Sequence, residues 1–361
     1  MAALKTRFRT LWRGAFSVAA AALASVAAAG GESPATLSAD ALRVAAAAED
    51  VAGKAVLYRD QWGVPHVYAA REEDGYFGLG YAQAEDQLER LLGLVRMFRG
   101  ERAAADGAGA LSWDSFQRVW RHREESEAGW SRLEPQVQAN YRSFVAGLER
   151  FMAEHPERVP ANAIDLDPID LVLLPRALFF YAYQAVEGLA DCIAGGVEID
   201  PLLALPGTGA GADSGLGGTE SNGWAVMPRR TSDRATIVLS DPHVEVGLPI
   251  YWEYRVHAGT LHSSGFMMGA APWQAHTRDV SWAMTTGSPD VADCYEIEID
   301  PDHPRRYRFD GAWRDLEVMT TSIEVAGSSP VERVFEYTRH GGVLSPVVAR
   351  KGDRAWVVSV A

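Results

Sequence analysis

The chain has 361 residues, 47% of them hydrophobic and 23% charged, an ordinary globular composition with material for a large core or two domains. The formal net charge of −14 argues against nucleic acid as a partner and against a polybasic membrane-binding surface. Cys192 and Cys294 are the two cysteines, so at most one internal bridge can form.

Residues 1–30 carry Lys5, Arg7, Arg9 and Arg13, then an apolar run from Ala15 to Ala29 that closes on small residues. This is the pattern of a secretory signal peptide. The run is too short and alanine-rich for a good membrane span, so stable membrane insertion is not expected, and an uncleaved anchor is the lesser alternative. No cysteine follows it, which disfavours a lipoprotein. Export would place the protein in the periplasm or outside the cell, under oxidising conditions.

Residues 31–52 are Ala-rich without strong periodicity and read as a poorly ordered mature N-terminus. Lys54 to Tyr58 alternates toward a strand, Gln61 to Pro65 reads as a turn, and His66 begins the next strand. A helix is predicted from Glu72 to Phe98. There Phe77, Tyr81, Ala84, Leu88, Leu91, Leu92 and Val95 recur at three- and four-residue spacings, and Gly100 is a stop. Further helix patterns cover 112–154, broken by Pro156 and Pro160, and another runs from Pro168 to Ala194. Residues 31–194 thus form a mostly helical region.

Residues 195–220 are dominated by Gly, Ala, Pro and Asp, the composition of a flexible, protease-accessible spacer. From Ser221 to Ala361 strands dominate: Ala235–Ser240, Ile250–Ala258, Leu261–Met268, Val280–Thr286, Cys294–Ile299, Arg306–Phe309, Ile323–Val325, Val331–Tyr337 and Trp356–Val360. No βαβ alternation is evident, which disfavours a doubly wound sheet, and there is no internal repeat.

Ser221-Asn-Gly-Trp224 stands where the helical region and spacer give way to strands. A serine exposed by cutting Glu220–Ser221 would carry a hydroxyl and a free α-amine of ordinary pKa about 7.7–8.0. That amine can serve as the base for its own hydroxyl, with no histidine or aspartate required. The blander reading is a loop serine that begins a strand. A third reading takes Thr219-Glu-Ser-Asn-Gly223 as a near miss to the nucleophile elbow of an α/β-hydrolase esterase, with His303 and His340 downstream. That elbow needs a strand before it and a helix after it. Ala212-Asp-Ser-Gly215 sits in the spacer and reads as plain linker. His243, His257, His262 and His276 match no tight zinc spacing.

Arg59-Asp-Gln-Trp-Gly-Val-Pro-His66, followed by Phe77-Gly-Leu-Gly-Tyr-Ala-Gln-Ala-Glu-Asp-Gln-Leu88, resembles the opening of the small subunit of the penicillin acylase family. Ser221-Asn-Gly-Trp with Ser240-Asp-Pro-His243 resembles the opening of its large subunit. The resemblance covers most of residues 54–361. It implies an N-terminal-nucleophile hydrolase: an exported precursor that cuts itself, loses a spacer and folds as an α+β, αββα sandwich of antiparallel sheets. Its substrates would be small-molecule acyl amides such as β-lactam side chains, acyl homoserine lactones or lipopeptides. Its partners would be its own cleaved subunits, with no organic cofactor.

By position, the resemblance makes Ser221 the nucleophile and His243 a residue that orients it. It makes Thr286 an oxyanion-hole residue through its backbone N–H. Asp290, Asp293, the carbonyl of Ala292 and, as the small-subunit carboxylate, Glu187 would hold a structural calcium. Without the resemblance, Asp290 and Asp293 read as a solvated turn. Aromatic residues Phe179, Phe180, Tyr181 and Tyr183 would line the acyl pocket. Glu220 stands where many relatives have glycine. The resemblance also implies further chain beyond Ala361, carrying an asparagine that completes the oxyanion hole. The 361-residue stretch is then expected to be an incomplete sandwich, with a non-catalytic fragment as the alternative. If Glu187 and Asp293 share one ion, Cys192 and Cys294 come to the same junction. A bridge and two separate thiols are both open there.

Overall fold

A computed structural model describes residues 49–179, 186–203, 221–243, 251–285, 291–340 and 343–360. The signal-peptide reading of residues 1–30, positions 204–220 of the 195–220 spacer, and the aromatic residues Phe180, Tyr181 and Tyr183 lie outside them. The first part of the spacer is packed, with Ile199 and Leu203 buried and the Asp200 N–H donating to the Val348 carbonyl.

Two sheets organise the chain. The first has seven strands in the order β1-β2-β3-β6-β7-β8-β9. These are β1 (Glu49–Val51), β2 (Ala55–Arg59), β3 (Pro65–Ala69), β6 (Trp252–Ala258), β7 (Leu261–Met268), β8 (Ala271–Thr277) and β9 (Ser281–Trp282). The second has five, β10-β16-β15-β14-β13. They are β10 (Ala292–Glu298), β13 (Glu317–Ile323), β14 (Val331–His340), β15 (Val343–Lys351) and β16 (Arg354–Val360). Two small hairpins pair β4 (Ser221–Val226) with β5 (Ile237–Pro242), and β11 (Arg306–Phe309) with β12 (Ala312–Asp315). Pairing is antiparallel except at β3–β6, where His66 lies opposite Arg255 in a parallel ladder. One sheet therefore draws strands from both sides of the spacer.

The longer helices among the described residues are α1 (Glu72–Arg99), α2 (Leu111–Val119), α3 (His122–Trp130), α4 (Pro135–Glu154), α5 (Asp170–Phe179) and α6 (Val186–Ala194). All seven periodic residues of α1 are buried. The helix stops where predicted: Gly100 is left-handed at φ 66°, and its N–H donates to the carbonyl of Met97. Glycines make α1 a spacerless element. A Cβ at Gly78 would stand 2.6 Å from Val67 Cγ1 on β3, and one at Gly80 would stand 2.0 Å from the Phe144 carbonyl on α4. With α4 and α5, the helix buries Val67, Tyr254, Val256 and Ala258 of the first sheet in one apolar cluster. A second cluster joins Phe116, Val119 and Leu189 of α2 and α6 to Tyr337, Val348, Val358 and Val360 of the second sheet. The class is α+β, helices laid against largely antiparallel sheets, as expected.

Local departures from the sequence reading have simple causes. Glu49–Val51 is a strand paired with Ala55–Leu57, not part of a disordered terminus, because it closes a hairpin on β2. The strand expected at Ile323–Val325 instead runs from Glu317 to Ile323. Its solvent-side polar residues Thr320 and Ser322 hid the alternation. Strands β8 and β15 went unrecognised, since Pro272 and Pro346 interrupt their runs.

Candidate active site

Ser221 is the first residue of β4 and pairs with Pro242. Asn222 lies opposite Asp241, and Gly223 opposite Ser240. Strand alternation puts Ser221, Gly223, Ser240 and Pro242 on one face of the hairpin. Asn222, Trp224, Leu239 and Asp241 are on the other. Trp224 and Leu239 are exposed there, at 55% and 44%. The serine begins a strand that turns back as a hairpin. The strand–turn–helix context of an α/β-hydrolase elbow is therefore not what surrounds it, and the esterase reading is dropped.

His243 follows β5 directly. Its Nε2 lies 2.9 Å from Asp241 Oδ2, and Asn222 Nδ2 lies 3.2 Å from the same oxygen. A carboxylate only accepts, so His243 Nε2 carries the proton and donates it, which leaves Nδ1 with the lone pair in the neutral ring. The 3.2 Å approach of Asn222 Nδ2 to His243 Nε2 is then a contact of two donors to one acceptor. The hydrogen bonds from His243 and then Asn222 hold the Asp241 carboxyl below its ordinary value. His243 is thus seated against the residue next to Ser221. Asp241 was missed in the residue-by-residue reading. Its place two residues before His243 on a strand, hence on the same face, was the signal that could have found it.

The segment expected to carry the oxyanion residue approaches from β9. A Cβ at Gly223 would stand 3.1 Å from Ala283 Cβ, so this segment crosses the Ser221 face of the hairpin three residues before Thr286. Thr286 itself, and Asp290, lie outside the described residues.

Of the ion ligands that the sequence suggests, Ala292 and Asp293 are neighbours on β10. Ala292 is buried, and Gly188 packs on it: a Cβ at Gly188 would stand 3.2 Å from Ala292 Cβ and 2.5 Å from Val358 Cγ1. Helix α6, which contains Glu187, therefore lies on β10 and β16; the Glu187 side chain is outside the description. Asp293 is exposed on β10 and accepts a hydrogen bond from Tyr295 Oη at 2.9 Å. Carboxylates and a strand carbonyl form a hard oxygen donor set, the chemistry that suits calcium. Among the described residues, no three His, Cys, Asp or Glu side chains gather as a metal cluster. His257 and His262 face one another across β6 and β7 with Nδ1 atoms 3.1 Å apart.

The two sequence signatures of the first region also meet. Arg59 donates to Glu85 at 2.5 Å and to Asp86 at 3.0 Å, and Trp252 Nε1 on β6 donates to Asp86 at 2.8 Å. Asp60 accepts from the N–H groups of Trp62 and Val64, closing the turn before β3.

Comparison with protein-family models gives a match to the penicillin amidase family over residues 54–361. The chain belongs to that family. Each penicillin amidase signature therefore has a structural job here: Arg59 ties the first turn to α1, and Asp86 ties α1 to β6. Helices back both sheets, α1, α4 and α5 on the first and α2 and α6 on the second. Among curated relatives, the chain is similar to acyl-homoserine lactone acylase QuiP of Pseudomonas aeruginosa. The identity is 23%, over 81% of this chain and 40% of the relative. It is similar to the penicillin acylase 2 proenzyme of Pseudomonas sp. strain SE83 at 26%, over 80% of this chain and 43% of that protein. Acyl-homoserine lactone acylase PvdQ of Pseudomonas putida matches at 26%, over 82% and 41%. The chain thus spans about two-fifths of the length of these relatives. A solved penicillin G acylase from Alcaligenes faecalis aligns with 24% identity and a TM-score of 0.33, over 38% of this chain and 80% of that one.

Proposed function

We propose that the protein is an exported acylase that hydrolyses a small-molecule acyl amide through Ser221, exposed as an N-terminal nucleophile. The observation that carries this is the position of Ser221. It is the first residue of a strand, directly after the spacer, with the Asp241–His243 pair bonded to its neighbour Asn222. Family membership and the named activities of the relatives support the same reading.

Before a cut, the Ser221 nitrogen is an amide without a basic lone pair. After scission of Glu220–Ser221 it is an amine that takes the proton from its own Oγ through a water. Oγ attacks the acyl carbonyl, and the backbone N–H of Thr286 holds the tetrahedral oxyanion. One such donor has been worth about 2.7–4 kcal/mol in another hydrolase. The amine product leaves with the proton, and water releases the acid from the acyl-enzyme. The two products of the cut remain each other's partners. Asp290, Asp293, the Ala292 carbonyl and Glu187 would hold calcium, which would brace the junction between them and take no part in the chemistry.

The test is N-terminal sequencing of the purified protein beside a Ser221→Ala variant, with release of acid from penicillin G and from an acyl homoserine lactone as the assay. A chain that begins at Ser221 in the parent and an uncut Ser221→Ala chain are expected. Normal scission in the variant would overturn the proposal.

A further inference from the structure

Ser240 is the residue on the Ser221 face of the hairpin that the proposed chemistry leaves without a role. Its Oγ is buried and has no hydrogen-bond partner among the described residues. An unmade hydrogen bond on a buried hydroxyl is costly, so such groups are paired by water when protein offers nothing. The register fixes where that water would sit. Ser221 lies opposite Pro242, and Ser240 is two residues from Pro242 on the same strand, so the two serines are diagonal neighbours on one face. Diagonal positions in an antiparallel pair are about 7–8 Å apart, with side-chain carbons somewhat closer. That is long for a direct bond between hydroxyls, which needs about 2.5–3.0 Å, and right for one water between them. Opposite Ser240 on this face is Gly223, which adds no side chain, and opposite Ser221 is the compact ring of Pro242. Ala283 closes the face from above, 3.1 Å from where a Cβ of Gly223 would lie.

We infer that Ser240 is a positioning residue whose hydroxyl seats the water that carries the proton from Ser221 Oγ to the Ser221 α-amine. Oγ–H gives its proton to the water, and the water gives one of its own to the amine nitrogen, so no other acid or base is consumed. A neutral amine that accepts from an anchored water is favoured over its ammonium, which keeps the amine pKa low. The inference rests on the reading of Ser221 as the nucleophile.

Three measurements test it. In Ser240→Ala, scission and amide hydrolysis should slow about ten- to hundred-fold, the usual scale for a lost positioning contact. The acidic limb of kcat/KM should move to higher pH, because the amine loses a bond to its neutral form. The variant should melt no lower than the parent, since it deletes a hydroxyl that makes no bond to a described protein group, and Ser240→Thr should restore both rate and limb. A parental rate and limb in Ser240→Ala, or a rate loss matched by a fall in melting temperature with no shift of the limb, would overturn the role. A crystal structure decides it independently of activity: a water within hydrogen-bond distance of both Ser240 Oγ and Ser221 is required, and its absence sinks the inference. Normal scission in Ser221→Ala would instead refute the nucleophile reading on which the inference stands.

Discussion

Cys192 on α6 and Cys294 on β10 are joined by a disulfide, with their Cα atoms 5.3 Å apart across 102 residues of sequence. The spacer and Ser221 lie between them, so one covalent bond spans the proposed cut. The approach is made possible by Gly188, which lets α6 rest directly on Ala292 and Val358. After scission the two products should run as one species without reductant and as two with it. A Cys192→Ser variant should give two species in both lanes. Free separation of the parent's products without reductant would show that the bridge does not form. In the uncut chain the bridge closes a long loop, and its loss should cost about 2–4 kcal/mol in denaturant unfolding.

Calcium content of purified protein, measured by atomic emission, should fall in Asp293→Ala. Asp293 is the exposed carboxylate of the proposed set on the strand that α6 covers. A Tyr295→Phe control removes only the hydrogen bond to Asp293 and should retain the ion. Equal content in parent and Asp293→Ala would rule the site out.

Gly80 and Gly147 set the spacing of α1 and α4. A Cβ at Gly147 would stand 2.0 Å from the Phe77 carbonyl, as one at Gly80 would from that of Phe144. Backbone cannot yield as a side-chain tip can, so Gly80→Ala and Gly147→Ala should each cost about 1–3 kcal/mol or more. Gly93, on the exposed side of α1, has nothing within 4 Å. Gly93→Ala should stabilise by about 1 kcal/mol through helix propensity alone. Chemical denaturation of the three variants checks the contrast.

His122 should make the fold acid-sensitive. Burial, reinforced by the charge of Arg176, pulls its pKa from 6.5 down to about 3. Between those values the unfolded chain binds a proton that the folded chain refuses, so stability falls as pH drops from 6.5 toward 3. One such group contributes up to about 1.4 kcal/mol per pH unit in that window. His122→Gln should flatten the dependence between pH 6.5 and 4, read from unfolding midpoints. An unchanged slope would show that His122 is not the responsible group.

The helix α1 was legible because its burial repeats at three and four residues and a glycine ends it, and the structure stops it at the same Gly100. The strand pairs β6 and β7 were legible for the same local reason. Within the candidate site, Ser221 and His243 could be named from their motifs, but not the bonds that seat His243. Those depend on Asp241 and Asn222 meeting across two strands, and register is set by the pairing rather than by either strand alone.

The amino-acid order by itself determined the elements that depend on near neighbours: the long amphipathic helix, the composition break before Ser221, the alternating strands, and the two signatures that mark the family. Tertiary structure alone decided the parallel meeting of β3 with β6, the face that Ser221 shares with Ser240, and the bridge between Cys192 and Cys294. Periodicity reports which side of an element is apolar. It carries no record of which distant apolar side that element will cover, and only the packing of α1 on the first sheet and of α6 on the second settles that choice.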